Sequence, residues 1–406
     1  MPRPGETATP WIDRAAPALA ACVWAIPLIV ISIGVWLRPG VRSLDPLYRS
    51  ALTAWESRES MYTGSGGFNY LPTFVPLYWP FSALPAPTGE LAWRWLAAAC
   101  MAQALWQMMR LQARPASARG FLLLSIASLP VSLGALQMGQ ANVWIAASLF
   151  QAAAATGRQR WWLAAAWLAV AFAVKPIALA PIGLALLLNA RLWLPILVSM
   201  VLVTLVPFAF GPPAYVWSQY ADSWSNLVGP CAQVSEHRFA DINGLLRTFG
   251  TELSGNLSLF VRGLFGVAVA GWLLWMGRKH AADGRWFQWL ALGACYVLLC
   301  NPMSEANSYC MFGIPAALLA WQLLGEGESR IARSPTLHLT AGWLIIGALL
   351  LMGGASEILR PWTGNSLDLL VYPCCAIALM ATVALRMATA KEPRPVGGAP
   401  HAAGLQ

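Results

Sequence analysis

Apolar stretches of roughly 15 to 23 residues recur along this chain, each close to the ~20 residues that carry a helix across the hydrocarbon core of a bilayer. They lie near 15–37, 91–109, 120–136, 141–156, 161–174, 176–189, 192–210, 257–276, 286–300, 308–324, 337–353 and 366–386. With 58% hydrophobic and only 11% charged residues, the chain has too little polar surface to fold as a water-soluble globule. The runs predict an all-α, polytopic membrane protein with about twelve transmembrane helices, since inside hydrocarbon a helix satisfies its own backbone. The two runs flanking Lys175 are short and are expected to be tilted, re-entrant or packed inside the bundle. Residues 15–37 lack a small-residue cleavage site and are expected to remain as a helix. The resulting organisation is a tail over 1–14, one membrane domain over 15–390 and a Pro/Gly/Ala-rich disordered tail over 391–406.

Lys and Arg set the orientation. Arg110, Arg114, Arg119, Arg158, Arg160, Arg191, Arg278, Lys279 and Arg285 crowd alternate short connectors, on the same side as both termini. The positive-inside rule makes that side cytoplasmic and predicts a cell-membrane protein, of bacterial plasma-membrane type. The net charge of +9 is thus accounted for by topology, with no need for a nucleic-acid partner.

Two outer segments, 38–90 and 211–256, are too long and too rich in carboxylates, aromatics and Arg to be simple turns. Shorter outer connectors hold Gln137 to Asn142, Lys175 and Asn301 to Tyr309. Most of the eight cysteines fall inside apolar runs, without CxxC or zinc-ligand spacing, and pairing of Cys231 with Cys310 stays open. No Walker A loop, dinucleotide fingerprint, nucleophile elbow, HExxH or internal repeat is present.

The densest polar chemistry lies between Ser43 and Leu84. Leu44-Asp45-Pro46 places Asp at a helix N-cap and Pro at the first helical position. On the predicted helix Asp45, Tyr48, Leu52, Trp55 and Glu59 share a face, with Arg49 one turn beyond Asp45. Gly64, Gly66 and Gly67 then form a hinge, and Pro72, Pro76 and Pro80 limit regular helix in the returning aromatic segment, which suits a groove for a lipid-linked ligand.

Taken in order, Asp45 with Tyr48, Gly64 to Gly67, Phe68-Asn69-Tyr70-Leu71-Pro72, Gly139-Gln140-Ala141-Asn142 and Val174-Lys175-Pro176 resemble the polyprenol-phosphate-dependent membrane glycosyltransferases of family 87. The resemblance extends over about 15–325. It implies a GT-C fold with an outward active site, a sugar donor carried on a polyprenyl monophosphate, mannose as the default sugar, and inverting transfer to a glycolipid, glycan or protein hydroxyl. A base must take the acceptor proton while donors or cations stabilise the departing phosphate, and that leaving group does not oblige a metal or other cofactor.

Asp45 matches the family's base position, with a capping role as the alternative, and Tyr48, Arg49 and Tyr70 around it are candidate substrate contacts. Lys175 is a candidate phosphate ligand or a snorkelling side chain; Gln140 and Asn142 either bind sugar or phosphate or satisfy helix ends. Many relatives carry a His pair in a Ser-Pro-x-Ser context, where this chain has Asn301 to Tyr309, leaving that role to Asn307 and Tyr309. His237, Arg238 and Arg247 are further candidates for phosphate contact. The competing readings are a secondary transporter, which calls for duplicated halves, and a non-catalytic lipid-binding scaffold, which accounts for the 22 Trp but not for the order of motifs.

Overall fold

The computed structural model describes residues 10–63, 68–112, 116–231, 239–277, 284–302, 304–327, 335–355, 362 and 366–389. Among these there are helices and no strands. The expected Gly64 to Gly67 hinge, His237, Arg238 and the tail over 391–406 lie outside the described residues.

In chain order the helices are α1 (Pro10–Leu37), α2 (Asp45–Glu56), α3 (Phe74–Ser82), α4 (Ala86–Met109), α5 (Ala118–Ser128), α6 (Leu133–Met138), α7 (Asn142–Gly157) and α8 (Trp161–Val174). There follow α9 (Leu179–Leu188), α10 (Trp193–Leu205), α11 (Pro213–Cys231), α12 (Ile242–Thr248), α13 (Gly255–Gly277), α14 (Arg285–Cys300), α15 (Cys310–Gly327), α16 (Pro335–Leu350) and α17 (Ser366–Thr389). The first helix begins at Pro10, so part of the expected tail over 1–14 is helical.

All twelve apolar runs fold mainly as helix, but not all twelve are long enough to count as spans by themselves. Six helices among the described residues are long and apolar enough to cross a membrane, or seven if α5 and the 130–138 segment, bent by 43°, count as one span. The runs at 161–174, 176–188 and 285–300 form helices of only 10–17 residues, about 15–26 Å long against a core of about 30 Å. Neighbouring helices cover α14 almost completely and one side of each of the other two. Helix α7 shows why. Asn142 through Thr156 are all buried, and its run of alanines lets α4, α8, α14 and α15 approach closely. By contrast α1, α10, α13 and α16 expose Val30, Leu197, Val267 and Leu344, as lipid-facing helices do.

The helices that surround α7 share two ends. Asn142 at the start of α7, Lys175 after α8 and Asn301 after α14 lie at one end; Gly157, Trp161 and Arg285 lie at the other. The 16 residues of α7 separate the two by about 22 Å. At the first end the two long segments predicted to be outer interlock. Trp55 Nε1 donates to the Phe210 carbonyl (3.1 Å), Ser60 Oγ to Asp222 Oδ2 (2.7 Å), Tyr215 Oη to the Glu59 carbonyl (2.8 Å) and Asn226 Nδ2 to Asn69 Oδ1 (2.9 Å).

Candidate active site

Helix α2 buries Asp45, Tyr48, Ala51, Leu52 and Trp55, the face expected from their spacing. It ends at Glu56, so Glu59 falls beyond it and is exposed. Its start differs from the expectation too: Leu44 is the cap residue, Asp45 is already helical, and it is Ser43 Oγ that accepts from the Asp45 amide, at 3.1 Å. The capping alternative for Asp45 is therefore corrected. Its carboxylate, in a residue only 5% exposed, receives Arg49 Nε at 2.9 and 3.1 Å and the Tyr78 hydroxyl. A near-buried carboxylate is tolerated because both partners donate to it.

Tyr78 comes from α3, where the expectation of broken helix fails: Phe74–Ser82 is helical with Pro76 and Pro80 in it. Pro76 falls in the first turn, where the amide has no intrahelical acceptor anyway. Arg49 closes the far end of α3 by donating to the carbonyls of Phe81 (3.4 Å), Ser82 (2.8 Å) and Leu84 (3.3 Å). This places Arg49 as a clamp between α2 and α3.

A second polar group begins three residues along α2. The Tyr48 hydroxyl accepts from the Ala141 amide (3.0 Å) and lies 3.1 Å from the Tyr70 hydroxyl. Burial raises both phenols, Tyr70 to about 12, where the Glu305 charge adds to the effect and the Tyr48 hydrogen bond opposes it; both remain protonated donors at neutral pH. Asn142 Nδ2 donates to Gln140 Oε1 and Ser308 Oγ, both at 3.1 Å, and Gln140 Nε2 donates to Glu305 Oε2 at 3.0 Å.

Lys175 completes this group. Thr73 Oγ1 donates to the Ala173 carbonyl (2.7 Å), pinning the end of α8 beside the start of α3. The ammonium then sits 5.7 Å from the Tyr70 ring centre and makes no hydrogen bond or ion pair with any described residue. Burial lowers its pKa, partly offset by Glu305.

The Gly139 turn that presents Gln140 rests on a pair the sequence reading missed. Arg94 and Glu90, one turn apart on α4 and fully buried, form a 2.7 Å ion pair. Arg94 also donates to the carbonyls of Leu136 (2.8 Å) and Gln137 (2.9 Å), and Ser43 Oγ donates to Glu90. Gly139 has φ +62°, and a Cβ there would lie 2.9 Å from the Arg94 guanidinium carbon. Glycine is needed on both counts. The available signal was a carboxylate and a guanidinium four residues apart, Glu90 at the edge of an apolar run and Arg94 inside it.

Other expected residues lie elsewhere. Tyr309 is fully buried and donates to the Ala240 carbonyl at 2.8 Å. Asn307 faces α6, with Nδ2 at 3.1 Å from Met138 Sδ. Arg247, on α12, pairs with Glu252 at 3.0 Å. Cys310 is a buried free thiol, and the Cys231 side chain lies outside the described residues.

The architecture thus gathers Tyr48, Tyr70, Gln140, Asn142, Lys175 and Glu305 at one end of a membrane bundle, with Asp45 alongside. The sequence model of glycosyltransferase family 87 matches residues 68–302, more than half of the chain. The chain belongs to glycosyltransferase family 87. It is accordingly a membrane transferase that moves a sugar from a donor to an acceptor, which sets aside the transporter and scaffold alternatives. No curated protein matches it. The matched stretch contains Tyr70, Gln140, Asn142 and Lys175 of this glycosyltransferase, while Asp45, Tyr48 and Arg49 precede it and Glu305 follows it.

Proposed function

We propose that this family 87 glycosyltransferase takes its sugar, mannose by default, from a polyprenyl monophosphate and passes it to an acceptor hydroxyl at the outer membrane face with inversion. The observation that carries this reading is Lys175, a partly buried ammonium that feels the Glu305 charge but forms no ion pair or hydrogen bond with any described residue. A cation held there at a cost in solvation is suited to receive an anion. The donor phosphate supplies one, with the Tyr70 hydroxyl and the Gln140 and Asn142 amides within the same group. The aromatic segment from Tyr70 to Leu84 would meet the prenyl chain.

In the step itself the acceptor oxygen bonds to the anomeric carbon as the carbon–oxygen bond to phosphate breaks. The acceptor proton passes to a carboxylate, and the phosphate leaves against Lys175. Asp45 is the base in this reading. Both its oxygens are engaged, so the acceptor hydroxyl would take the place of the Tyr78 hydroxyl while Arg49 holds the carboxylate. Glu305 provides a second reading for the base, favoured by its exposure and its bond to Gln140.

Purified protein and a radiolabelled polyprenyl-phosphate sugar decide between them. With Asp45 as base, Asp45→Asn loses about 10²- to 10⁴-fold in turnover with donor binding retained, and Glu305→Gln loses far less. The reverse ranking transfers the role to Glu305; transfer from a nucleotide sugar alone would refute the lipid donor.

A further inference from the structure

The end of the bundle opposite Lys175 holds a cavity of about 540 Å³ between the α7–α8 turn, the α9–α10 turn and the start of α14. Its polar lining comes from Gln159, Asn189, Arg191 and Arg285, flanked by Trp161 and Trp286. No carboxylate lines it among the described residues. We propose that this cavity binds the phosphate group of an anionic lipid headgroup, at the membrane face opposite the transferase site.

Three observations support a built site over a solvated basic edge. The exposed Arg191 guanidinium lies 6.0 Å from the Trp161 ring centre and makes no hydrogen bond or ion pair with any described residue. An arginine stacked on indole keeps its planar set of N–H donors free for phosphate. Arg285 is held in place by two backbone acceptors, Gly277 O at 2.9 Å and Leu188 O at 3.3 Å, which tie the ends of α13 and α9 to the start of α14. Gln159 lines the cavity from a turn with φ +58°, a left-handed conformation uncommon for a residue other than Gly or Asn.

The surrounding field has the same sign. Arg158, next to Gln159 in the chain, turns toward α4 and donates to Gln107, with its pKa lowered first by burial and then by the charges of Arg110 and Arg160. Arg191 and Arg285, which line a cavity between helix ends at this basic end of the bundle, favour an anion there, and basic pockets between membrane helices suit lipid headgroups. The two tryptophans belong to the same arrangement, since indole rings settle at headgroup depth.

The test uses full-length protein in phosphatidylcholine nanodiscs containing increasing phosphatidylglycerol, read as thermal midpoint. The expected result is a rise with phosphatidylglycerol that needs about tenfold more of that lipid in Arg191→Gln, the factor for losing one charge-assisted hydrogen bond. Arg191 is exposed and holds no other element, so the variant should fold; Arg191→Lys should fall between the two. A parallel arm adds inorganic phosphate at constant ionic strength. If free phosphate gives the Arg191-dependent rise and the lipid does not, the anion site stands and its lipid source is overturned. A rise of equal size in wild type and Arg191→Gln in both arms, or no rise in either, would overturn the site itself.

Discussion

Lys175 shows most sharply what one residue contributes. Folding lowers the pKa of its ammonium below the ordinary 10.5, because burial outweighs the favourable Glu305 charge. The unfolded chain therefore holds this proton more tightly, and the charged side chain detracts from stability at neutral pH, a penalty that fades as pH rises through the lowered pKa. Lys175→Met should accordingly raise the thermal midpoint while raising the donor KM about tenfold or more. A fall in both stability and activity would identify a structural lysine instead. Since only the ammonium binds phosphate, donor KM in the wild type should climb on the alkaline side at a lower pH than an unperturbed lysine would give, and Lys175→Arg should flatten that climb. Side chains such as Lys175, Gln140 and Asn142 were legible from sequence because polar groups stand out beside apolar runs. Their partners were not: Gln140 meets Glu305 across 165 residues, and Asp45 meets Tyr78 across 33, separations over which spacing carries no information.

At the level of elements, the sequence reading located α2 and its buried face correctly and misjudged α3, because proline's cost depends on where in the helix it falls. Pro76, in the first turn, forfeits no hydrogen bond; Pro80, inside the helix, forfeits one, but α3 is short and Arg49 satisfies the carbonyls of Phe81, Ser82 and Leu84 at its far end. The seating of α3 against α4 is tight enough to test. A Cβ at Gly89 would lie 1.9 Å from the Phe81 carbonyl oxygen and 3.0 Å from Arg49 Nη2. Because the nearest obstacle is backbone, Gly89→Ala should cost stability at the upper end of the ~1–3 kcal/mol seen for overpacking. It should also loosen Arg49, and with it the orientation of Asp45, so that kcat falls along with the thermal midpoint. Gly183, inside α9 with open space where its Cβ would go, is the control: Gly183→Ala should leave kcat unchanged and hold or raise the midpoint. Equal behaviour of the two variants would show that α3 does not depend on this close approach.

For the whole molecule, periodicity and composition made the helical class plain but left the number of spans open, since an apolar run buried by protein reads the same as one buried by lipid. Helices α7 and α14 are apolar because they form the interior, whereas α8 and α9 bury one side and expose Trp162, Leu163, Leu179 and Leu187 on the other. The alternation of ends does not depend on that number. Lys175 and Gln140 fall at one end; Arg158, Arg160, Arg191 and Arg285 fall at the other, the end the positive-inside rule assigns to the cytoplasm. This gives a topology that two single-cysteine variants on a cysteine-free background can check. Ser57, after α2, and Gln159, in the α7–α8 turn, are both exposed and belong to opposite ends. Cysteine at position 57 should react with a membrane-impermeant maleimide in intact cells, whereas cysteine at 159 should react only after permeabilisation. Labelling in the opposite order would invert the protein and put Lys175 in the cytoplasm, out of reach of an outward-facing donor. Equal labelling of both positions in intact cells would mean that the two ends do not face opposite compartments, and the separation of the transferase site from the Arg191 cavity would fail with it.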